Sequence, residues 1–409
     1  MIIILHSATT KTVGETMRRD LEDAFKGRLE IVLVDADDPA VVSRATSWDD
    51  VLVVVYDEVP IGAKGNDFIA AYRKAREAKA LLLPVALNPA HTRPPKEAEA
   101  FKALVYDAEA RGAGGRFVRR LGAMIGLRVQ QRENKIFISY RATDGRPIAD
   151  QLKAHLEELG YPVWLDEAKE LDGETKILPG TPVQQQIDQA LVDASIVLLL
   201  DTPAAPASPW ITHEVDTANG LLLPVLPLCF REKGDVRKGS RFAALTQLQR
   251  WIALSMPTAG GKPPLEDADL KQIVAEMEQY LCELIQRKCR IPSIVEREFV
   301  ARNYAWKLLD KRLLVGEAVR GQGSRVPIKV LSHCSVFDQL HSPGMKAFSK
   351  FMTTIGRPNH SLYIYDGEII PDPQLLAFIQ QNPSDDGVVI LHHQELATLI
   401  ESNFTTLSV

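Results

Sequence analysis

The residues best suited to chemistry lie in one short segment, Ser208-Pro209-Trp210-Ile211-Thr212-His213-Glu214. Ser208 can cap a helix and Pro209 fits its first position, which predicts that Trp210 and Glu214 lie one turn apart on one face. A ring packed on the indole, with a ribose hydrogen-bonded to the carboxylate, would suit this pair. The same spacing also occurs where a core tryptophan and a solvent-facing glutamate share an amphipathic helix. The segment alone leaves both interpretations open.

Further candidates stand at or beyond the ends of predicted strands. Tyr140 and Arg141 follow the strand-like KIFIS, at the carboxyl end where ligands of parallel sheets collect. Arg141 could pair with a pyrophosphate or form a surface salt bridge. Asp144 is interpreted first as a helix N-cap and second as a substrate-binding residue. Asp166 follows the strand-like YPVWL and is expected closer to the site.

Several familiar catalytic and metal-binding motifs are missing from the sequence. It holds no GxxxxGK[ST], GxGxxG, HExxH or GxSxG motif. The four cysteines form no CxxC pair, and we interpret them as reduced thiols: Cys229, Cys282, Cys289 and Cys334. The sequence therefore predicts a site without a metal.

Length and composition narrow the class of protein. The chain has 409 residues, of which 45% are hydrophobic and 25% charged, so wholesale disorder is excluded and two or three domains are expected. A net charge of -5 argues against a dedicated nucleic-acid or membrane-surface binder. No apolar run approaches the ~20 residues of a membrane span. The N-terminal MIIILH is interpreted as a strand, not a signal peptide, and the predicted compartment is the cytoplasm.

Short apolar runs alternate with amphipathic helical stretches, which is typical of α/β folds. The pentapeptide LLLPV occurs at 81–85 and again at 221–225, each time after a third apolar strand and a helical stretch. We therefore predict two flavodoxin-like, doubly wound parallel sheets followed by a smaller α/β domain. The predicted domains are 1–130, 131–291 and 292–409, the last boundary lying where Ile291-Pro292-Ser293 interrupts a helix. The third domain is expected to open with a helix over 294–309 that contains Trp306, and its role is regulatory or sensory.

Four segments in fixed order resemble the Toll/interleukin-1 receptor (TIR) domain family, particularly its bacterial members, over about 132–290. They are KIFISYRATDG, GYPVWLDEAKELDGETKILPG, QQQIDQALVDASIVLLLD and SPWITHE. The second segment resembles the family's strand B and BB loop, which would contain Gly173, Pro179 and Gly180. The fourth resembles its WxxxE helix.

The resemblance implies an activity. Enzymatic TIR domains cleave the bond between nicotinamide and ribose in NAD+, giving ADP-ribose or a cyclic form of it, and their catalytic glutamate corresponds to Glu214. A carboxylate beside the ribose can stabilise the positive charge that develops as nicotinamide leaves. NAD+ would be the substrate, and no cofactor is expected. By the same resemblance, Trp210, Tyr140, Arg141, Asp166 and Asp144 are candidates for substrate binding.

The resemblance also implies assembly and regulation. Enzymatic members work as homo-oligomers formed through TIR–TIR contacts, which predicts that the BB loop of one subunit completes the site of the next. Aligning the two LLLPV repeats pairs Glu214 with Lys74 and Trp210 with Ala70, so the first domain is expected to be an inactive TIR-like copy. An activating protein or nucleotide signal, in an antiphage defence response, is the expected setting.

Two other functions stay open at this point. The first is a non-catalytic TIR scaffold that recruits partners through helix surfaces and the BB loop. The second is an enzyme of the nucleoside 2-deoxyribosyltransferase type, which also places a glutamate beside a ribose. The carboxylate of Glu214 favours an enzyme over a scaffold.

Overall fold

The fold is that of a computed structural model. It describes residues 1–35, 50–57, 73, 75, 77, 80–89, 103–130, 135–165, 182–220, 223–232, 234–237, 239–245, 250–257, 264–310, 315–320, 327–332, 361–365, 388–402 and 404. The chain divides into two compact units. The first comprises 1–219 and 223–283, and the second comprises 220–222 and 284–409.

The first unit begins with a five-stranded parallel sheet in the order β2-β1-β3-β4-β5. Its strands are β1 (Ile2–His6), β2 (Ile31–Asp35), β3 (Val51–Tyr56), β4 (Leu81–Ala86) and β5 (Leu104–Val105). Helix α1 (Lys11–Ala24) connects the first two strands. β1 and β3 are buried along their whole length, as expected of strands covered on both faces.

The second sheet repeats this order with β10-β9-β8-β6-β7. Its strands are β6 (Lys135–Ser139), β7 (Val163–Leu165), β8 (Ala194–Asp201), β9 (Val225–Arg231) and β10 (Ile252–Ser255). The helices between them are α3 (Ala142–Glu158), α4 (Pro182–Val192) and α5 (Pro209–Gly220). All pairings in both sheets are parallel. Both sheets have the flavodoxin-like 2-1-3-4-5 order, so the predicted fold class is confirmed.

Helix α2 (Ala113–Gln130) belongs to both halves of the first unit. Its Phe117 ring meets Tyr106, beside the first sheet, edge to face at 6.3 Å. At its other end, the Leu127 carbonyl accepts a hydrogen bond from Ser195 Oγ at 2.9 Å, at the start of β8. Helix α2 therefore contacts residues of both halves and links the two sheets.

A buried ion pair also joins α2 to helix α6 (Asp267–Ala301). Arg120 Nη1 lies 3.0 Å from Glu278 Oε1, and the Tyr161 hydroxyl donates to that same oxygen at 3.0 Å. Arg120 also stands over the Tyr161 ring, 5.1 Å from its centroid. Burial raises the pKa of Glu278, while the Arg120 charge and the Tyr161 hydrogen bond oppose that shift. Removing one partner would leave the other buried without compensation.

The second unit contains a mixed five-stranded sheet in the order β11-β12-β13-β14-β15. Its strands are β11 (Tyr304–Asp310), β12 (Val315–Arg320), β13 (Pro327–Ser332), β14 (Ser361–Tyr365) and β15 (Val388–His392). The pairs β11–β12 and β12–β13 are antiparallel, and the other two are parallel. A 3-10 turn (His393–Glu395) and helix α7 (Leu396–Glu401) follow β15. The predicted smaller α/β domain is thus present with a mixed sheet.

Two expectations at the start of the C-terminal region are wrong. Helix α6 continues through Pro292 as one helix to Ala301, because Ile291, Val295 and Phe299 pack into the core of the second unit at helical spacing. The helix then ends eight residues short of the predicted 309, and Asn303 takes a φ of 63°. Asparagine tolerates this left-handed conformation, which turns the chain into β11. Trp306 therefore lies on a strand, where it stacks on Phe299 at 5.7 Å.

None of the helices in the described ranges is long and apolar enough to cross a membrane. Three of the four cysteines fall in these ranges, and all three are buried and outside any disulfide: Cys229, Cys282 and Cys289. The division into domains 1–130, 131–291 and 292–409 stays a prediction.

Close packing of α2 against α6 generates a stability prediction. A Cβ at Gly122 would lie 2.5 Å from Sγ and 3.2 Å from Cα of Cys282, whereas one at Gly115, also on α2, meets nothing within 4 Å. Gly122→Ala should therefore destabilise the first unit by about 1–3 kcal/mol through overpacking. Gly115→Ala should stabilise it by about 0.5–1 kcal/mol, because alanine is the better helix former. Urea unfolding of both variants checks this, and equal shifts would contradict the packing.

Candidate functional site

The carboxyl edge of the second sheet brings Glu214 against the end of β6. Ser139, the last residue of β6, donates from Oγ to Glu214 Oε2 at 2.6 Å. Ser139 is fully buried and Glu214 is 1% exposed. The two residues are 75 positions apart, and the 2-1-3 strand order brings them together by placing β8, which α5 follows, beside β6.

The start of α5 fixes the position of Glu214. Ser208 caps the helix as predicted, with its Oγ 3.5 Å from the Ile211 N–H, and Pro209 occupies the first helical position. Trp210 and Glu214 follow at i and i+4, so they lie one turn apart on the helix. They differ in exposure: Trp210 is half-buried, whereas Glu214 is covered.

Tyr140 and Arg141, which follow β6, are both engaged within the protein. Tyr140 is fully buried, and its hydroxyl accepts a hydrogen bond from Arg146 at 3.1 Å. Arg141 Nη1 donates to the Ala204 carbonyl at 3.2 Å, in the segment after β8. Arg141 thereby links the segments that follow the neighbouring strands β6 and β8.

Asp144 does not cap α3. Arg141 occupies the N-cap position and the helix begins at Ala142, so Asp144 lies in the first turn and the N-cap interpretation is wrong. A carboxylate in this turn still interacts favourably with the helix dipole. Its Oδ1 is buried and has no hydrogen-bond partner among the described residues. An unsatisfied acceptor of this kind is one that a ligand hydroxyl could use.

A second cluster at the same edge, formed by charged side chains around Asp201, was not predicted from the sequence. Asp201 ends β8 and is fully buried, and its Oδ2 accepts a hydrogen bond from the backbone N–H of Arg241 at 2.8 Å. The Arg241 guanidinium lies 3.7 Å from Oδ1 of Asp201 and 2.6 Å from Asp235. Arg231, which ends β9, reaches within 3.9 Å of Asp201. The signal in the sequence was a carboxylate closing the apolar run SIVLLLD.

Cys229 belongs to this cluster without being reactive. Its Sγ is 3.6 Å from Asp201 Oδ2 and fully buried. Burial, with the Asp201 charge as a smaller cause, raises the pKa of the Cys229 thiol to about 12. The thiol therefore stays protonated and is a poor nucleophile at neutral pH.

The remaining predicted residues lie outside the described ranges. They are the substrate candidate Asp166, the BB-loop residues Gly173, Pro179 and Gly180, and the paired positions Ala70 and Lys74 in the first domain. Within the described residues, no three His, Cys, Asp or Glu side chains are grouped so that they could hold a metal ion.

Comparison with known families identifies the second sheet and its helices. Residues 136–262 match the TIR domain family, so the chain contains a TIR domain with Ser139 on its first strand and Glu214 on the helix after its third. The match covers most of the second predicted domain, and the first domain is outside it.

Other comparisons add little to this. None of the curated proteins compared with the chain matches it. Among solved structures, the C-terminal domain of glucosamine-fructose-6-phosphate aminotransferase from Francisella tularensis is 11% identical. The alignment covers 70% of this chain and 84% of that one, with a TM-score of 0.22. A score this low supports no conclusion about fold or function.

The Ser139–Glu214 contact generates a prediction about stability. Ser139→Ala should lower the free energy of unfolding by about 1.5–3 kcal/mol, because a hydrogen bond to a buried charged group is lost. In a Glu214→Gln background the same change should cost about 0.5–1.5 kcal/mol, since the bond there is neutral. Chemical unfolding of the four proteins measures this coupling. An identical cost in both backgrounds would show that the negative charge of Glu214 adds nothing to the hydrogen bond.

Proposed function

We propose that this TIR domain cleaves the nicotinamide–ribose bond of NAD+, with Glu214 as the catalytic residue. The supporting observation is the carboxylate of Glu214, set on the SPWITHE helix at the carboxyl edge of the sheet and hydrogen-bonded to Ser139 at 2.6 Å. Ligands of open parallel sheets bind at this edge.

The proposed reaction needs little from the protein beyond charge and position. The ribose hydroxyls of NAD+ donate hydrogen bonds to the Glu214 carboxylate. The bond from ribose C1′ to nicotinamide breaks with its electron pair leaving on nicotinamide, and the carboxylate stabilises the oxocarbenium-like ribose. Water then attacks C1′ and loses a proton to give ADP-ribose. Attack by the substrate's own adenine instead gives the cyclic product.

The burial of Glu214 sets a condition on this mechanism. At 1% exposure, the carboxylate meets a ribose only after neighbouring side chains have moved. We propose that assembly of TIR domains into a homo-oligomer supplies this change, with the BB loop of one subunit completing the site of the next. An activating protein or nucleotide signal in a cytoplasmic antiphage response is part of the same proposal. Residues Trp210, Arg141, Asp144 and Asp166 are the proposed substrate contacts.

One observation favours a second function, a TIR scaffold without activity. A buried glutamate bonded to a serine is also what a purely structural hydrogen bond would look like. In that case Glu214 would hold α5 against β6, and partners would bind the surface of the domain. The two functions differ in whether NAD+ is consumed.

The decisive variants are Glu214→Gln and Asp216→Asn. Both replace a carboxylate by an isosteric amide on α5, but Asp216 is exposed and faces away from the site. Nicotinamide release from NAD+ by the full-length protein, assayed over a range of protein concentrations, is the measurement. We expect Glu214→Gln to reduce the rate by about 100-fold or more, the usual cost of losing one transition-state electrostatic contact, and Asp216→Asn to leave it unchanged.

The control readout is thermal unfolding, which should show that both variants are folded. Turnover retained in a folded Glu214→Gln protein would overturn the assignment of Glu214. An absence of nicotinamide release by the wild-type protein at every concentration would favour the scaffold.

A further inference from the structure

The ends of β6 and β8 form the topological switch point of the second sheet. These strands are neighbours, but α3 leads from β6 to β7 on one side, and α5 leads from β8 to β9 on the other. Ligands of open parallel sheets bind in the crevice that such a divergence leaves beyond the carboxyl ends of the two strands. The walls of this crevice are the segments that follow β6 and β8, residues 140–145 and 202–208.

The two walls are close to each other. Arg141 Nη1 in the first wall donates a hydrogen bond to the Ala204 carbonyl in the second at 3.2 Å. A Cβ at Gly145 would lie 3.7 Å from Cδ1 of Leu200, near the end of β8. The first turn of α3 thus packs against the end of β8, so side chains from the two segments can contact the same ligand.

Each wall carries one buried polar atom that has no hydrogen-bond partner among the described residues. On the first wall this atom is Oδ1 of Asp144, and on the second it is Oγ1 of Thr202, a residue that is fully buried. Buried polar groups without a partner cost stability, so each of these atoms needs a partner that the described chain does not supply. An ionised carboxylate only accepts hydrogen bonds, whereas a hydroxyl can also donate one. The two walls therefore offer one acceptor and one donor.

We propose that Asp144 and Thr202 bind the carboxamide of nicotinamide and select NAD+ over its nicotinic acid analogue. A primary carboxamide offers an N–H to the carboxylate and a carbonyl oxygen to the hydroxyl, so it pairs both atoms. Glu214 bonds to Ser139, directly before the first wall, which places a nicotinamide attached to the ribose at the crevice. This inference rests on the proposed cleavage of NAD+, and the change that uncovers Glu214 must also uncover Thr202.

The first test compares cleavage of NAD+ with cleavage of nicotinic acid adenine dinucleotide, in which a carboxylate replaces the carboxamide. We expect the full-length protein to prefer NAD+ by about 100-fold or more in kcat/KM, because Asp144 repels the acid and receives no N–H from it. Asp144→Asn should reduce this preference about tenfold or more, whereas Asp216→Asn, at an exposed position on α5, should keep it. The wild-type preference retained in Asp144→Asn would overturn the proposal.

The hydroxyl is tested by Thr202→Val, which keeps the shape of the side chain. This change should lower kcat/KM for NAD+ about tenfold, and Thr143→Val, at an exposed position on α3, should leave it unchanged. Nicotinamide hypoxanthine dinucleotide, which lacks the adenine amino group, should be cleaved as well as NAD+ is. Discrimination against this analogue and not against the acid would assign the two residues to adenine and overturn the proposal. An unchanged kcat/KM in Thr202→Val would show that water pairs with the hydroxyl and would also overturn it.

Direct binding separates this inference from the proposed cleavage. A ligand-observed NMR titration of the full-length protein should show saturable binding of nicotinamide and about tenfold weaker binding of nicotinate, with the difference lost in Asp144→Asn. This result without cleavage of either dinucleotide would refute the proposed function alone. Cleavage of NAD+ and its acid analogue with equal kcat/KM would refute the inference alone. Neither binding nor cleavage would refute both.

Discussion

A carboxylate can be buried in a folded protein only when hydrogen bonds replace the water that it loses. Glu214 meets this requirement through Ser139, and the requirement constrains much of the TIR domain. Serine must end β6, β8 must lie directly beside β6, and α5 must begin where Ser208 and Pro209 set it. The strand order and the helix start thus combine to bring one charged group to the carboxyl edge of the sheet.

The two parallel sheets share their topology but differ at this edge. At the carboxyl edge of the second sheet, Glu214, Asp201 and two arginines make buried or nearly buried contacts. At the carboxyl edge of the first sheet, one contact beyond β1 is made by a hydroxyl, since Thr10 Oγ1 donates to the Val55 carbonyl at 3.2 Å. A hydroxyl can link strands there, but it cannot stabilise a cation as a carboxylate does. The fold alone therefore does not carry the proposed chemistry.

Most elements of both parallel sheets could be predicted from the sequence because their strands are continuous apolar runs. The helix cap at Ser208 was also predictable, since it depends on local residues. The hairpin β11–β12 was not, because the pattern around Trp306 fits a helix, and only the left-handed turn at Asn303 and packing on Phe299 settle it as a strand. Pro292 predicted a break in a helix that in fact continues, because core contacts on both sides of the proline hold the helix together.

The candidate site was predictable in its principal residue and less so in its surroundings. Glu214 stood out by its spacing from Trp210, but its burial and its bond to Ser139 depend on residues 75 positions apart. The N-cap was predicted at Asp144 but lies three residues earlier, because arginine, a weak capping residue, occupies it. The Asp201 cluster involves five residues from three segments, and such contacts have no local sequence pattern.

The central claim is that this chain consumes NAD+ through Glu214. The most direct test is the NAD+ content of cells after induction of the full-length protein, with and without phage infection and with products resolved by mass spectrometry. The account predicts loss of NAD+ with matching release of nicotinamide and of ADP-ribose or its cyclic form, and no loss with Glu214→Ala at equal protein level. Unchanged NAD+ in infected and uninfected cells that contain the wild-type protein would contradict it.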